Sequence, residues 1–227
     1  MKKYTTLFLD LDDTLIDFKQ CEEQALRRAL KRNSIVATDE DVRLYSEINR
    51  YFWQEFEQGK IRREDIFVNR FLELFKVRGY AADAEKMSED YFTCLSESHV
   101  LYPDALDILK VLRERGYRLF ITSNGFIRTQ YKRVRESGIE ALVDGLFISE
   151  EMGVQKPDKA YFEMVLDRIG EQEREKVLVI GDSLSADITG GVNARLDTCF
   201  LNHKKVKADP AATYEISALK DLLNLLT

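Results

Sequence analysis

Five short apolar runs punctuate the chain: TLFLD at 6–10, RLFITSN at 118–124, GLFIS at 145–149, KVLVIGD at 176–182 and DTCFL at 197–201. Each is rich in β-branched or aromatic residues and nearly continuous in its apolar character, the pattern of strands buried on both faces. Between them the spacing turns helical. Ala105, Leu106, Leu109 and Leu112 make one stripe ahead of the second run, and Tyr161, Phe162, Val165 and Ile169 make another ahead of the fourth. Apolar strands alternating with amphipathic helices predict an α/β fold with a doubly wound, Rossmann-like parallel sheet, because helices on both faces are what covers such strands.

Residues 17–99 interrupt that alternation. They carry no strand signal, so an all-helical cap domain is expected there, inserted into an α/β core made of residues 1–16 and 100–227. Ile48, Tyr51, Phe52 and Phe56 form one helical stripe and Phe67, Phe71, Leu74 and Phe75 another, with Gly59 at the turn between them. Stripes at this spacing are read as the packed core of a helix pair. Trp53 lies off them.

Composition narrows the class. With 227 residues and 44% apolar content the chain can bury a conventional core. It has no run near the roughly 20 apolar residues of a membrane span, and MKKY leads directly into the first strand, so neither a membrane partner nor secretion is expected. Cys21, Cys94 and Cys199 are odd in number and far apart, which predicts buried free thiols in a reducing cytoplasm in place of disulfides. The net charge is −6 and basic residues are interleaved with acidic ones, which argues against a nucleic-acid polymer as partner. The densest basic cluster, RRALKR at 27–32, is read as a solvated helix face.

The unusual polar residues fall at strand ends, where open α/β sheets bind ligands. The first strand ends in Asp10, Asp12, Asp13 and Thr14, the second in Ser123 and Asn124, and the fourth in Gly181 and Asp182, with Asp187 five residues on. Lys156, within GVQKPD, follows the third. Buried unpaired carboxylates are costly, so acidic positions from two strands suggest an oxygen-rich nest for a hard cation such as Mg²⁺. Ser123, Asn124 and Lys156 would offer hydroxyl, amide and ammonium donors to an anion beside it. Asp13 is read as a solvent-facing turn residue, Thr14 as a local cap or a partner of the site, and Asp158 as the N-cap of a helix beginning at Lys159.

In order and spacing, DLDDT, ITSNG, QKPD and GDSLSAD resemble the four motifs of the haloacid dehalogenase-like (HAD) hydrolase superfamily, phosphatase branch, over essentially the whole chain. FWQEFEQGKI and NARLDTCFLN are similar to the YjjG-type pyrimidine 5′-nucleotidases. The resemblance implies a Mg²⁺-dependent phosphomonoesterase acting on a small phosphorylated metabolite, foremost a nucleoside 5′-monophosphate. It implies Asp10 as the nucleophile that forms an aspartyl-phosphate and also binds metal, and Asp12 as general acid and base with its backbone carbonyl on the metal. Asp182 would complete the metal shell, Asp187 would bind metal through water or orient its ligands with Thr14 nearby, and Ser123, Asn124 and Lys156 would hold phosphoryl oxygens. In the cap, Trp53, Lys60 and Arg62 near Gly59 are candidates for substrate choice. A β-phosphoglucomutase-like phosphotransferase and a phosphoglycolate-type phosphatase remain open, as does a monomeric or dimeric state. Asp12 argues against a 2-haloacid dehalogenase, and the intact acidic and lysine positions argue against a non-catalytic phosphate-binding module. Arg195 stands where the nucleotidase likeness implies a small residue, often glycine, so the turn into the fifth strand is expected to differ.

Overall fold

Leu7, Phe8 and Leu9, and likewise Val177, Leu178, Val179 and Ile180, are wholly removed from solvent, as strands in the middle of a covered sheet must be. The computed structural model describes residues 3–203, 205–207, 209 and 211–226. Its strands are β1 (Thr6–Leu9), β2 (Arg118–Ser123), β3 (Gly145–Ile148), β4 (Val177–Gly181), β5 (Asp197–Leu201) and β6 (Tyr214–Ile216). They form one sheet in the order β3-β2-β1-β4-β5-β6, with every neighbouring pair parallel. Phe8 lies opposite both Phe120 and Val179. The strand order reverses at β1, which pairs with β2 on one side and β4 on the other; a crevice at such a switch point is where this sheet type binds ligands. The doubly wound reading is therefore correct. The sixth strand was not expected, because three edge residues with an exposed Glu215 carry too little apolar signal.

The chain divides into two compact units, Phe18–Val100 and Met1–Asp17 with Leu101–Thr227. The first is all helical, with α1 (Phe18–Arg32), α2 (Asp39–Glu57), α3 (Arg63–Arg78) and α4 (Ala84–Ser96). Its helix ends follow local rules. Thr38 and Asp41 form a capping box at the start of α2, Asp83 accepts from two backbone N–H groups of α4, and Gly79 closes α3 in the left-handed conformation at φ 71°. Ile48, Phe56, Phe71, Leu74 and Phe75 are buried, as their spacing requires. Tyr51 departs from expectation. It is 56% exposed, because the stripe of α2 runs through Asp41, Tyr45, Ile48, Asn49 and Phe56 and leaves Tyr51 beside it.

The second unit surrounds the sheet with α5 (Ala105–Glu114), α6 (Ile127–Glu136), α7 (Ser149–Met152), α8 (Lys159–Arg168), α9 (Thr189–Asn193) and α10 (Leu222–Leu225). Asp158 caps α8 as expected, accepting from Ala160 N–H at 2.9 Å. Phe8 stacks on Phe162 of α8, with ring centroids 6.1 Å apart and planes within 7°, and meets Phe120 edge-on at 6.2 Å. These rings join Val165, Leu166, Val177 and Val179 in one apolar cluster. No helix among the described residues is long and apolar enough to cross a membrane.

Arg195, in the turn that leads from α9 into β5, has φ 58°. That is the left-handed region a glycine adopts freely and a side chain does not. Arg195→Gly is expected to raise stability by about 0.5–1 kcal/mol, the relief of left-handed strain less the extra chain entropy of glycine. Urea unfolding followed by circular dichroism measures this; an unchanged or lowered midpoint would contradict the strain argument.

Candidate active site

The site begins where β1 ends. Asp10 N–H donates to Ile180 O at 2.9 Å, so pairing with β4 continues one residue past β1 and carries the Asp10 side chain to the switch point. There it is nearly buried, at 8% exposure. Lys156 follows α7, joined to Pro157 by a cis peptide, and its ammonium is buried at the same place. All three of its hydrogens find acceptors: Asp10 Oδ1 at 2.8 Å, Asp187 Oδ1 at 2.6 Å and the Thr122 carbonyl of β2 at 2.8 Å. The other Asp187 oxygen accepts from Ser183 N–H at 3.1 Å. This closeness needs Gly181, since a Cβ there would lie 2.1 Å from Asp187 Oδ2.

Charge in this cluster is unequal. One oxygen each of Asp10, Asp182 and Asp187 lie within 4.8 Å of one another, against the single ammonium of Lys156. Burial works against the cationic form of Lys156, but the carboxylates of Asp10 and Asp187 outweigh it and hold its pKa above the ordinary lysine value. Burial also pushes the Asp10 carboxyl up, to about 8, against the pull of Lys156 and helped by the charges of Asp187 and Asp12. An all-oxygen donor set with surplus negative charge fits a hard divalent cation such as Mg²⁺, whose charge would favour the ionised carboxylates. Thr14 Oγ1 lies 3.4 Å from Asp10 Oδ2, which places it against the site.

Asp12 is held from α6. Its Oδ1 accepts from Arg133 Nη1 at 2.6 Å and its Oδ2 from Gln130 Nε2 at 2.7 Å, both from α6. The same Gln130 nitrogen donates to Ser123 Oγ at 2.9 Å, which links two of the expected site residues. Asn124, expected to hold an anion, directs its amide to the backbone of Lys156: Nδ2 donates to the carbonyl at 2.9 Å and Oδ1 accepts from the N–H at 3.0 Å. Asp13 has φ 57° and lies 3.5 Å from the hydroxyl of Tyr102. Trp53, Lys60 and Arg62 belong to the helical unit. Within it Trp53 meets Phe56 edge-on at 5.8 Å, Lys60 pairs with Glu55 at 2.8 Å, and Arg62 lies 3.6 Å from Asp65.

Gln130 and Arg133 escaped the sequence reading. They sit in IRTQYKRVRE, where a buried arginine and a solvated one are spelled alike. Their spacing of three places them on one helix face, which is the only signal the sequence offers.

Residues 4–195 match the family model of the haloacid dehalogenase-like hydrolases. The chain belongs to this family. Full-length relatives agree. The chain is 35% identical over 225 residues to the pyrimidine 5′-nucleotidase PynA of Streptococcus pneumoniae, covering 98% of this chain and 95% of PynA. It is 33% identical over 226 residues to the pyrimidine 5′-nucleotidase YjjG of Escherichia coli, covering 99% and 98%. The crystal structure of the HAD-hydrolase YfnB from Bacillus subtilis, which holds magnesium, superposes with a TM-score of 0.94 at 40% identity over 100% of both chains.

Lys156 is the buried cation between the carboxylates of Asp10 and Asp187. Lys156→Met is expected to destabilise the fold by about 3–5 kcal/mol, the usual cost of leaving buried charges uncompensated. Chemical denaturation of the variant against the wild-type chain measures it, and a loss below about 1 kcal/mol would mean that the carboxylates find water or another cation without Lys156.

Proposed function

We propose that this hydrolase is a phosphomonoesterase whose preferred substrates are nucleoside 5′-monophosphates, pyrimidine ones foremost. The observation that carries the reading is the convergence of Asp10, Asp182, Asp187 and a buried Lys156 ammonium at the switch point, with Asp12 two residues beyond Asp10. The full-length similarity to two pyrimidine 5′-nucleotidases supports the substrate class.

In the first step a carboxylate oxygen of Asp10 attacks phosphorus and the bond from phosphorus to the ester oxygen breaks. Asp12 gives its proton to that oxygen, so the nucleoside leaves as an alcohol and an aspartyl-phosphate remains. In the second step water attacks phosphorus and Asp12 takes its proton. The bond from phosphorus to the Asp10 oxygen then breaks, which releases inorganic phosphate and restores both carboxyl groups. Lys156 beside Asp10 and the hydroxyl of Ser123 stabilise the phosphoryl oxygens throughout, and Asn124 contributes by fixing the backbone of Lys156. Bound Mg²⁺, held by Asp10, Asp182 and the Asp12 carbonyl with Asp187 oriented behind them, would supply charge that shields the two approaching anions.

The helical unit is assigned the role of a cap that reads the nucleoside. Phosphoryl chemistry is common to every substrate of this kind, so discrimination must come from how the remainder is held. Trp53, Lys60 and Arg62 are the proposed readers, with the indole as a stacking surface for a planar base. The buried free thiols Cys21, Cys94 and Cys199 support a reducing, cytoplasmic setting.

Three outcomes test the proposal. Asp10→Asn should abolish turnover and give no burst of phenolate from an activated aryl phosphate, whereas Asp12→Asn should lose turnover yet keep the burst. Excess EDTA should abolish activity, Mg²⁺ should restore it and Ca²⁺ should inhibit, because Ca²⁺ tolerates more ligands and can engage both oxygens of the nucleophile. Full activity in EDTA would refute the metal assignment. In steady-state kinetics dUMP or dTMP should exceed phosphoglycolate and a hexose phosphate in kcat/KM by roughly 5- to 150-fold, the value of about 1–3 kcal/mol of base stacking. Trp53→Ala should erase most of that margin. Equal rates across the panel would reject the nucleotidase reading and leave the phosphatase reading in place.

A further inference from the structure

Helix α6 brings to Asp12 two side chains that the proposed chemistry does not use. Arg133 and Gln130 are each 1% exposed. Arg133 Nη1 donates to Asp12 Oδ1 at 2.6 Å and to Gln130 Oε1 at 2.9 Å. Gln130 Nε2 donates to Asp12 Oδ2 at 2.7 Å and to Ser123 Oγ at 2.9 Å. Both oxygens of Asp12 are thus held by different residues of one helix face, and the amide that holds one of them also holds Ser123. Space for that amide comes from Gly125, where a Cβ would lie 2.3 Å from Gln130 Nε2. A buried arginine is costly unless it is paired, so this contact is a built feature of the interior.

Resting on the phosphatase reading above, we propose that Arg133 and Gln130 are positioning residues of the acid–base steps: they fix the Asp12 carboxylate in one orientation and tie it to Ser123. A charged N–H donor on one oxygen and an amide on the other set the plane of the carboxylate, which a single contact would leave free to rotate. Correct aim matters only where Asp12 moves a proton. Those events are protonation of a poorly leaving alcohol and deprotonation of the water that opens the aspartyl-phosphate. Expulsion of an activated aryl oxide needs no proton, so formation of the aspartyl-phosphate from such an ester is indifferent to the aim of Asp12.

The test compares these events in Arg133→Met, Gln130→Met and Gly125→Ala. The last displaces the Gln130 amide with no change of charge, and it and Gln130→Met carry the comparison if Arg133→Met does not fold. With 4-nitrophenyl phosphate the pre-steady-state burst of Arg133→Met should keep its wild-type rate, and that of Gln130→Met and Gly125→Ala should fall far less than their proton-dependent steps, since Ser123 loses its Gln130 partner in both. Steady-state turnover, and single-turnover cleavage of dUMP, should fall about 100-fold, a common share of general acid–base catalysis. Arg133→Lys should recover part of the loss by returning one charged donor. Equal losses in the burst and in the proton-dependent steps would assign the two residues to folding alone, and no loss in either would also overturn the proposal. A wild-type chain that releases phosphate from no ester would reject the phosphatase reading and this one with it, whereas an active wild-type chain with unaffected variants rejects only this one.

Discussion

An ammonium group out of contact with water, held between two carboxylates, is the constraint around which the core is arranged. Lys156 is stable there only because Asp10, Asp187 and the Thr122 carbonyl take all of its hydrogens. Those acceptors come from the ends of β1 and β2 and from the segment after β4, so one cation sets the spacing of three strand ends. Its own loop is fixed in turn by one hydrogen bond that Asn124 donates and one that it accepts. The carboxyl ends of the strands are therefore tied together at the switch point, and the surplus of acid over base that remains suits a divalent cation.

A chain of buried polar groups also runs through the helical unit. Arg70 of α3 lies among Tyr91, Phe92, Phe71 and Tyr45, its guanidinium carbon 4.7–5.8 Å from their ring centres. Its Nη1 donates to Asn49 Oδ1 of α2 at 2.8 Å, and Asn49 Nδ2 donates to Glu22 Oε1 of α1 at 2.7 Å. Ser46 of α2 bonds the other Glu22 oxygen. Three helices are thus held in register by one polar chain inside an aromatic core. Apolar contacts alone would tolerate sliding; a hydrogen-bonded chain does not, because a slip would strand each buried group. These polar links are not revealed by the hydrophobic stripes of the unit.

A second anchor at the switch point comes from α6. Asp10 is anchored by the ammonium of Lys156 from the segment after α7, while Asp12 is anchored by an arginine and a glutamine from α6. Two carboxylates two residues apart in sequence consequently sit in different electrostatic settings, Asp10 beside an ammonium and other carboxylates, Asp12 beside a guanidinium and an amide. Environments that differ in this way are how one enzyme obtains two roles from one residue type.

By itself the sequence determined five of the strands, their parallel sense and the strand ends where acidic residues gather, because continuous apolar runs and helical stripes are local patterns with period-specific meaning. It also placed Asp10, Ser123 and Asp182 at the ends of β1, β2 and β4, which parallel pairing necessarily brings together, whereas Lys156 reaches them from the segment after α7. Tertiary structure alone decided the partners. That Asn124 would face the Lys156 backbone, that Asp12 would face α6, that Tyr51 would lie outside its stripe and that YEI at 214–216 would add an edge strand all depend on where elements far apart in the chain come to rest. Arg133 shows the reason most plainly. Nothing in IRTQYKRVRE separates it from the solvated arginines beside it; its burial follows from which face of α6 the sheet covers, a choice made by packing energy summed over the whole core and not by any neighbour in sequence.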